Sequence, residues 1–258
     1  MRYRNASLWN GVVGAWCPSK GPSTGPIVAD LSGYNNHASL TNMDPGTDWV
    51  ASENGVALDL DGTNDCIDIP VESQITTGDI SVSIWVKVLT LPGGSSDGVV
   101  FHLGVSPTDR LYMAVQTSGG GNRLTCNGYN GSVQGIYGTG PVCQANVWFH
   151  YCGVVGAGTY TLYVDGVQQA TASGTVITSS TATMALGDIS STGGGRGTRY
   201  LNCQLDDLLI YNRMLTPSEI SQLASRRRAA YATLPDRVYR RPATSTNCMR
   251  RKLLLCSS

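Results

Sequence analysis

Charge is scarce in this sequence: 14 % of its 258 residues are Asp, Glu, Lys or Arg, against about 25 % in typical soluble domains. Glu and Lys are nearly missing, with three of each, so the chain lacks the residues that usually fill exposed helix positions. A mainly helical fold is excluded on that ground. No apolar run approaches the roughly 18 residues of a membrane-spanning helix, so none is encoded. The N-terminus also lacks the sustained apolar segment of a secretory signal; Val12–Trp16 is too short and reads as a strand. If Met1 is the natural start, the expectation is a chain made in a cytoplasm and not exported by the general pathway. There is no Cys-x-x-Cys, and none of His37, His102 and His150 is spaced to a Cys pair, which argues against zinc.

What is abundant points to strands. Hydrophobic residues make up 41 % and there are 31 Gly, a profile of many short strands joined by turns, hence a sandwich or barrel. In Ile80–Val86 every even position is aliphatic, so one face is buried. Further strands are expected at 12–16, 57–60, 66–69, 99–103, 111–115, 148–155, 160–164, 167–171, 183–186 and 201–211. Asp165-Gly166 predicts a hairpin with positive φ, and Asp61-Gly62 is read as a second turn of that kind. The segments 17–26, 92–98, 117–122, 128–141 and 190–198 read as loops. One helix is expected. Thr216, Pro217 and Glu219 form an N-cap, a first-turn proline and a capping-box acid, and the helix is expected to end near Arg226–Arg228. The eight cysteines mostly sit in apolar runs and are expected to be buried free thiols. Cys126 and Cys143, which bracket a Gly-rich loop, are the first pair to test for a disulfide.

The net charge of zero conceals an asymmetry. Residues 226–258 hold nine basic residues and one acid, a net of +8, while residues 1–225 hold nine basic residues and seventeen acids, a net of −8. The expected organisation is a body over 1–228 and an extended Arg/Pro-rich arm over 229–258. The arm carries Arg237, Arg240, Arg241, Arg250, Arg251 and Lys252, and then the apolar plug Leu253, Leu254 and Leu255. Such a segment is expected to order on a partner, and an acidic body can pair with a basic arm between identical subunits. It lacks a folded reader module, so sequence-specific nucleic-acid binding is not expected.

Several elements in order resemble the laminin-G-like, concanavalin A-like jelly-roll domains of the pentraxin group. They are Gly14-Ala15-Trp16, Asp30-Leu-Ser-Gly33-Tyr-Asn35-Asn36-His37, Ala57-Leu-Asp-Leu-Asp61-Gly62, Ile80–Val86, Trp148-Phe-His150 and Leu162-Tyr-Val-Asp165-Gly166, and finally Leu205-Asp206-Asp207 through Tyr211-Asn212-Arg213 to Pro217. The resemblance covers about 14–220. Phe149 stands where a second His is frequent, and Cys66 and Cys203 stand where Tyr and Gly are usual. The implied fold is all-β: an antiparallel two-sheet jelly-roll sandwich with one short C-terminal helix.

The resemblance also implies a structural Ca²⁺ between the early Asp-x-Ser-Gly loop and the last long strand, held by Asp30, Asn35 and Asp206. The alternative is that Asp30 caps a turn and Asp206 lies on the solvent face. The stretch Asp59 to Asp65 is not an EF-hand loop, because the position that needs Glu is Pro70; a hairpin turn is the better reading. Exposed aromatics and amides suit sugars, which makes Tyr129, Asn130 and Tyr137 the glycan-binding candidates. Catalysis is not expected. Glu53, Glu72 and Glu219 are the only glutamates, and none fits the paired-carboxylate pattern of the jelly-roll glucanases.

Two functions are therefore weighed. The first is a virion structural protein of a bacterial virus: a capsid decoration, head-fibre or tail-associated subunit, assembled as a homo-oligomer or against capsid or tail proteins through the arm. It reconciles an adhesion-type fold with the missing export signal. The alternative is a carbohydrate-binding or adhesion module of a bacterial surface or secreted protein. In neither reading does the chain insert into a membrane.

Overall fold

The computed structural model describes residues 6–231 apart from 21–24, 53–54, 71–77, 95–96, 106–107, 118–120, 178–182, 190–196, 198 and 228. The arm residues Arg237 to Leu255, together with Glu53, Glu72, Cys248 and Cys256, lie outside the described residues.

Two antiparallel sheets pack face to face. The first runs β14 (Val167–Ser173), β13 (Thr159–Val164), β12 (Trp148–Gly156), β7 (Ile80–Val88), β16 (Asn202–Tyr211), β5 (Gly55–Asp61) and β4 (Trp49–Ser52), and β1 (Val12–Trp16) also pairs with β16. The second runs β11 (Val133–Ile136), β10 (Arg123–Asn130), β9 (Thr108–Gln116), β8 (Gly98–Val105), β15 (Thr183–Leu186), β6 (Cys66–Ile69), β3 (Ala38–Thr41) and β2 (Ile27–Val28). This is the expected jelly-roll sandwich.

Strand β7 shows why the layers form. Ile80, Val82, Ile84, Val86 and Val88 are fully buried in the core between the sheets. Each such side chain contributes about 1.5–3 kcal/mol. The intervening residues face the other way. On that face a second core forms, because β16, β12 and β1 also send Leu209, Tyr211, Cys152, Val154 and Val12 there. It is covered by α1 (Ala6–Trp9), α2 (Pro217–Ala224) and a 3-10 turn, Ala229–Tyr231. Trp9 Nε1 donates to the Ala230 carbonyl (2.8 Å), and its ring meets Tyr231 edge-on. Burial therefore continues to Tyr231, past the boundary expected at 228. No helix among the described residues is long and apolar enough to cross a membrane.

Several expectations need correction. Asp61-Gly62 does not close a hairpin, because β5 belongs to one sheet and β6 to the other. The turn is an arch between layers: Thr63 N and Asn64 N donate to Asp61 Oδ1, and Asp61 N donates to Asp65 Oδ2. The expected loop 128–141 contains the end of β10 and all of β11, whose half-exposed Val133-Gln134-Gly135 lacks an apolar alternation. Strands β2, β3, β4, β10 and β11 add to the expected set; β2, β3 and β4 are short and lie toward the sheet edges, where little alternation is required. Helix α2 has the expected capping box but stops at Ala224, so the arginines follow the helix rather than cap it. Asp165 and Gly166 adopt φ of 51° and 78°, the turn expected of that pair. Cys17, Cys66, Cys126, Cys143, Cys152 and Cys203 are all buried thiols outside any disulfide.

Candidate functional site

The Asp30 loop is built by one carboxylate. Ala15 N and Ser32 N donate to Asp30 Oδ1 (3.0 and 2.9 Å); the Ser32 hydroxyl and Asn36 N donate to Oδ2 (2.6 and 3.0 Å). A carboxylate offers about four lone-pair sites, and all are used. The loop then turns through Asn35 in the left-handed region (φ 63°), with its side chain exposed. These four bonds account for Asp30 without a cation.

Asp206 is not on the solvent face; it is 2 % exposed. A bulge in β16 between Asp206 and Leu209, with Asp207 at φ 54°, turns both acids inward. Asp207 N and the Cys17 thiol both donate to Asp206 Oδ1 (2.9 and 3.9 Å). Among the described residues, donor atoms of Cys17, Asp206 and Asp207 form the one trio within 4.8 Å of each other. The trio contains a thiol and omits Asp30, whereas Ca²⁺ takes six to eight oxygens. The residues present therefore do not fit the implied Ca²⁺ set. Beneath Trp16 a void of about 20 Å³ touches the two acids, room for a single water at most.

The three glycan-binding candidates are not brought together. Tyr129 pairs with Val133 at the tip of the β10–β11 hairpin, and Asn130 Oδ1 accepts from Gln134 Nε2 there. Tyr137 follows the other end of β11, roughly 13 Å along the strand from Val133 at 3.3 Å per residue.

A concave site lies elsewhere. A cleft of about 300 Å³ is lined by Asp61, Gly62, Thr90, Leu91, Pro92, Gly93, Asp97, Tyr200, Leu201 and Asn202. It forms where three loops meet: the arch after β5, the segment after β7 and the approach to β16. Asn202 ties them. Its carbonyl accepts from Leu89 N (2.9 Å), and its Nδ2 donates to the Asp61 carbonyl (3.1 Å). Its Oδ1 is buried with no hydrogen-bond donor. Gly62, at φ 74°, lets the arch come close; a Cβ there would lie 2.7 Å from Asn202 N. Buried Asp188 fixes the third loop by accepting from Gly197 N and Arg199 N (2.6 and 3.2 Å).

The rear wall is polar. Asp97 accepts from Thr117 N (3.1 Å) and the Tyr112 hydroxyl (3.4 Å). Arg199 donates to the Tyr112 hydroxyl (2.8 Å) and lies 3.8 Å from Asp97. Burial pushes the Tyr112 phenol well up, so it stays protonated. Burial also acts to raise Asp61, but hydrogen bonds from Thr63, Asn64 and Asp65 outweigh it and hold that carboxyl below its usual value. Of these residues the sequence singles out Asp61, and then only as a turn. Asp97 lies in the loop expected at 92–98, and Tyr200 and Asn202 follow the one expected at 190–198; that placement is the available signal.

Two arrangements that could suggest catalysis do not support it. Ser83 Oγ lies 2.8 Å from His150 Nε2, which strand pairing of β7 with β12 brings about. Both side chains are buried, however, and burial lowers His150 to about 3. Its Nδ1 is buried with no orienting acid, so the pair lacks the third member that a nucleophile triad needs. Glu219 is bound at both oxygens by Arg213 (2.7 and 2.9 Å) and closes the helix cap.

An antiparallel jelly-roll sandwich with a polar cleft among its end loops is the architecture of lectin-type β domains. The chain belongs to the concanavalin A-like lectin/glucanases superfamily, whose Laminin_G_3 family model matches residues 61–221. No curated protein sequence matches it. Among solved structures it is similar to domain 4 of AbnA, a GH43 extracellular arabinanase from Geobacillus stearothermophilus, in complex with arabinotriose. That match has 20 % identity and a TM-score of 0.63 over 83 % of this chain and 98 % of that one. It is also similar to the binding domain of Paraclostridial Mosquitocidal Protein 1, at 17 % identity and TM-score 0.61 over 84 % of this chain and 52 % of that one. A third is Trypanosoma rangeli sialidase, at 18 % identity and TM-score 0.58 over 83 % of this chain. The chain spans about a third of the sialidase's length, 32 %.

Proposed function

We propose that this chain is a non-catalytic carbohydrate-binding module, and that it seats a glycan in the cleft between Asp61, Asp97, Tyr200 and Asn202. The observation that carries the reading is the cleft itself. It reaches the size at which small-ligand sites begin, about 300 Å³. It combines an aromatic ring with two carboxylates. Sugar hydroxyls would donate to the carboxylates while a sugar face packs on Tyr200 and Pro92. The arabinotriose complex of the AbnA domain lends support from a protein of the same fold. Catalysis has no place in this reading, since Glu219 is committed to Arg213 and the helix cap. The test is a glycan array followed by titration calorimetry, with Asn202→Ala and Tyr200→Ala as probes. Both variants are expected to lose at least about tenfold in affinity, a cost of about 1.4 kcal/mol. Binding that survives both, or no glycan binding at all, would overturn the reading.

The +5 charge of residues 232–258, six basic residues against one acid, favours a second, compatible role as a virion structural subunit that docks its arm on a neighbour. In that role the location is the virion; as a surface or secreted module it is extracellular. The truncation to use removes 232–258 and keeps the buried Tyr231. Loss of the oligomer, with folding intact, supports arm-mediated assembly; an unchanged oligomer and absence from purified particles rule it out.

A further inference from the structure

The polar groups that line the cleft are unbalanced. Two are carboxylates, Asp61 and Asp97. No Lys or Arg lines it among the described residues. Arg199 stands behind the wall rather than in it. Its guanidinium donates to the Tyr112 hydroxyl, lies 5.6 Å from that ring and is 3.8 Å from Asp97. Its side chain is 41 % exposed, but these contacts hold it against Tyr112 and Asp97, outside the lining. Asp61 keeps its charge to low pH, because hydrogen bonds at its carboxylate outweigh its burial, and it is exposed at the mouth. Ligand carboxylates and sulfates usually need Arg or a cluster of backbone N–H groups. Here the N–H groups of Thr63 and Asn64 are already taken by Asp61.

We propose that the cleft selects uncharged sugars, whose hydroxyls donate to Asp61 and Asp97, and that it rejects acidic sugars such as sialic and uronic acids. This rests on the glycan-binding reading and adds the ligand class to it. The physical reason is that a ligand carboxylate would bring a like charge next to Asp61 at the mouth of a cleft whose lining holds no cation to offset it. A hydroxyl there would donate to the carboxylate without that repulsion.

The experiment uses the full chain and matched pairs of probes that differ in acid content: galactotriose against trigalacturonic acid, and lactose against 3′-sialyllactose, within a broad array. Neutral members are expected to bind at least about tenfold tighter than their acidic partners. Asp61→Asn keeps the acceptor oxygen for Thr63 N and Asn64 N but removes the charge. It is expected to narrow that gap several-fold in a variant that melts somewhat lower but still cooperatively. Tight binding of an acidic glycan that Asn202→Ala abolishes would overturn the selectivity while leaving the module a glycan binder. The selectivity fails in the same way if Asp61→Asn folds normally and the gap does not move. No binding to either member of any pair or elsewhere on the array would overturn the glycan-binding reading itself, and the selectivity with it.

Discussion

The Arg227 guanidinium lies over the Trp148 ring, 4.2 Å from its centroid, and donates to Ser52 Oγ at 3.3 Å. The first basic residues after α2 are thus not all a free tail: Arg227 is 6 % exposed and joins β12 to the edge strand β4. A cation over an indole is worth about 0.5–2 kcal/mol, more when desolvated. Arg227→Ala is expected to cost about 1–2 kcal/mol in urea unfolding and to shift tryptophan emission to the red. Arg227→Lys should recover part of the stability, since a point charge stacks less well than a planar guanidinium. If Arg227→Ala unfolds like the parent, the stack does not anchor this end.

Gly62 is needed twice over, for its φ of 74° and for its approach to Asn202. Gly62→Ala therefore adds backbone strain of about 1 kcal/mol to a clash with Asn202 backbone. Gly33 has φ 105° but open space around it, so Gly33→Ala carries the conformational penalty alone. Thermal melts should show the larger loss for Gly62→Ala, and glycan affinity should fall in that variant only. Equal melts would mean that the arch can relax away from β16.

The same contrast separates what could be read from the chain from what could not. The alternation Ile80, Val82, Ile84 and the box Thr216–Glu219 are local patterns, and both appear where expected. Asp61-Gly62 is equally local, but the turn joins two sheets, a fact that depends on the partners of β5 and β6. The cleft needs Asp61, Asp97 and Asn202 together, and no spacing encodes a meeting of three loops. Asp206 was legible as a marked residue. Its burial follows from the bulge at Asp207, which the doubled acid alone does not disclose.

Calcium should add nothing to stability. Asp30 is saturated by four protein donors, and the buried trio near it includes the Cys17 thiol. Melting curves in millimolar CaCl₂ and in EDTA are expected to coincide. Asp30→Ala should instead destabilise by about 2–4 kcal/mol in both, because it orphans the buried N–H groups of Ala15 and Asn36. A calcium-dependent rise in Tm that vanishes in Asp30→Ala would restore the metal to this loop.

Acid should unfold the protein in two overlapping stages. Burial lowers His150 from 6.5 to about 3, so the folded ring refuses a proton that the unfolded chain accepts below 6.5. Its contribution is complete above about pH 6.5 and declines as pH falls toward 3. Glu219 is lowered from 4.5 to about 2, first by the hydrogen bond from Arg213 and, against its partial burial, by the bonds from Thr216. Its contribution is complete above about 4.5 and disappears as pH falls through 2. His150→Gln removes the first stage, keeps a partner for the Ser83 hydroxyl and leaves the second stage alone. Urea midpoints between pH 6.5 and 4.5 should therefore slope in the parent and flatten in His150→Gln, while Glu219→Gln flattens only the region below 4.5. Parallel slopes in the parent and His150→Gln between 6.5 and 4.5 would mean that His150 takes up its proton without leaving the folded state.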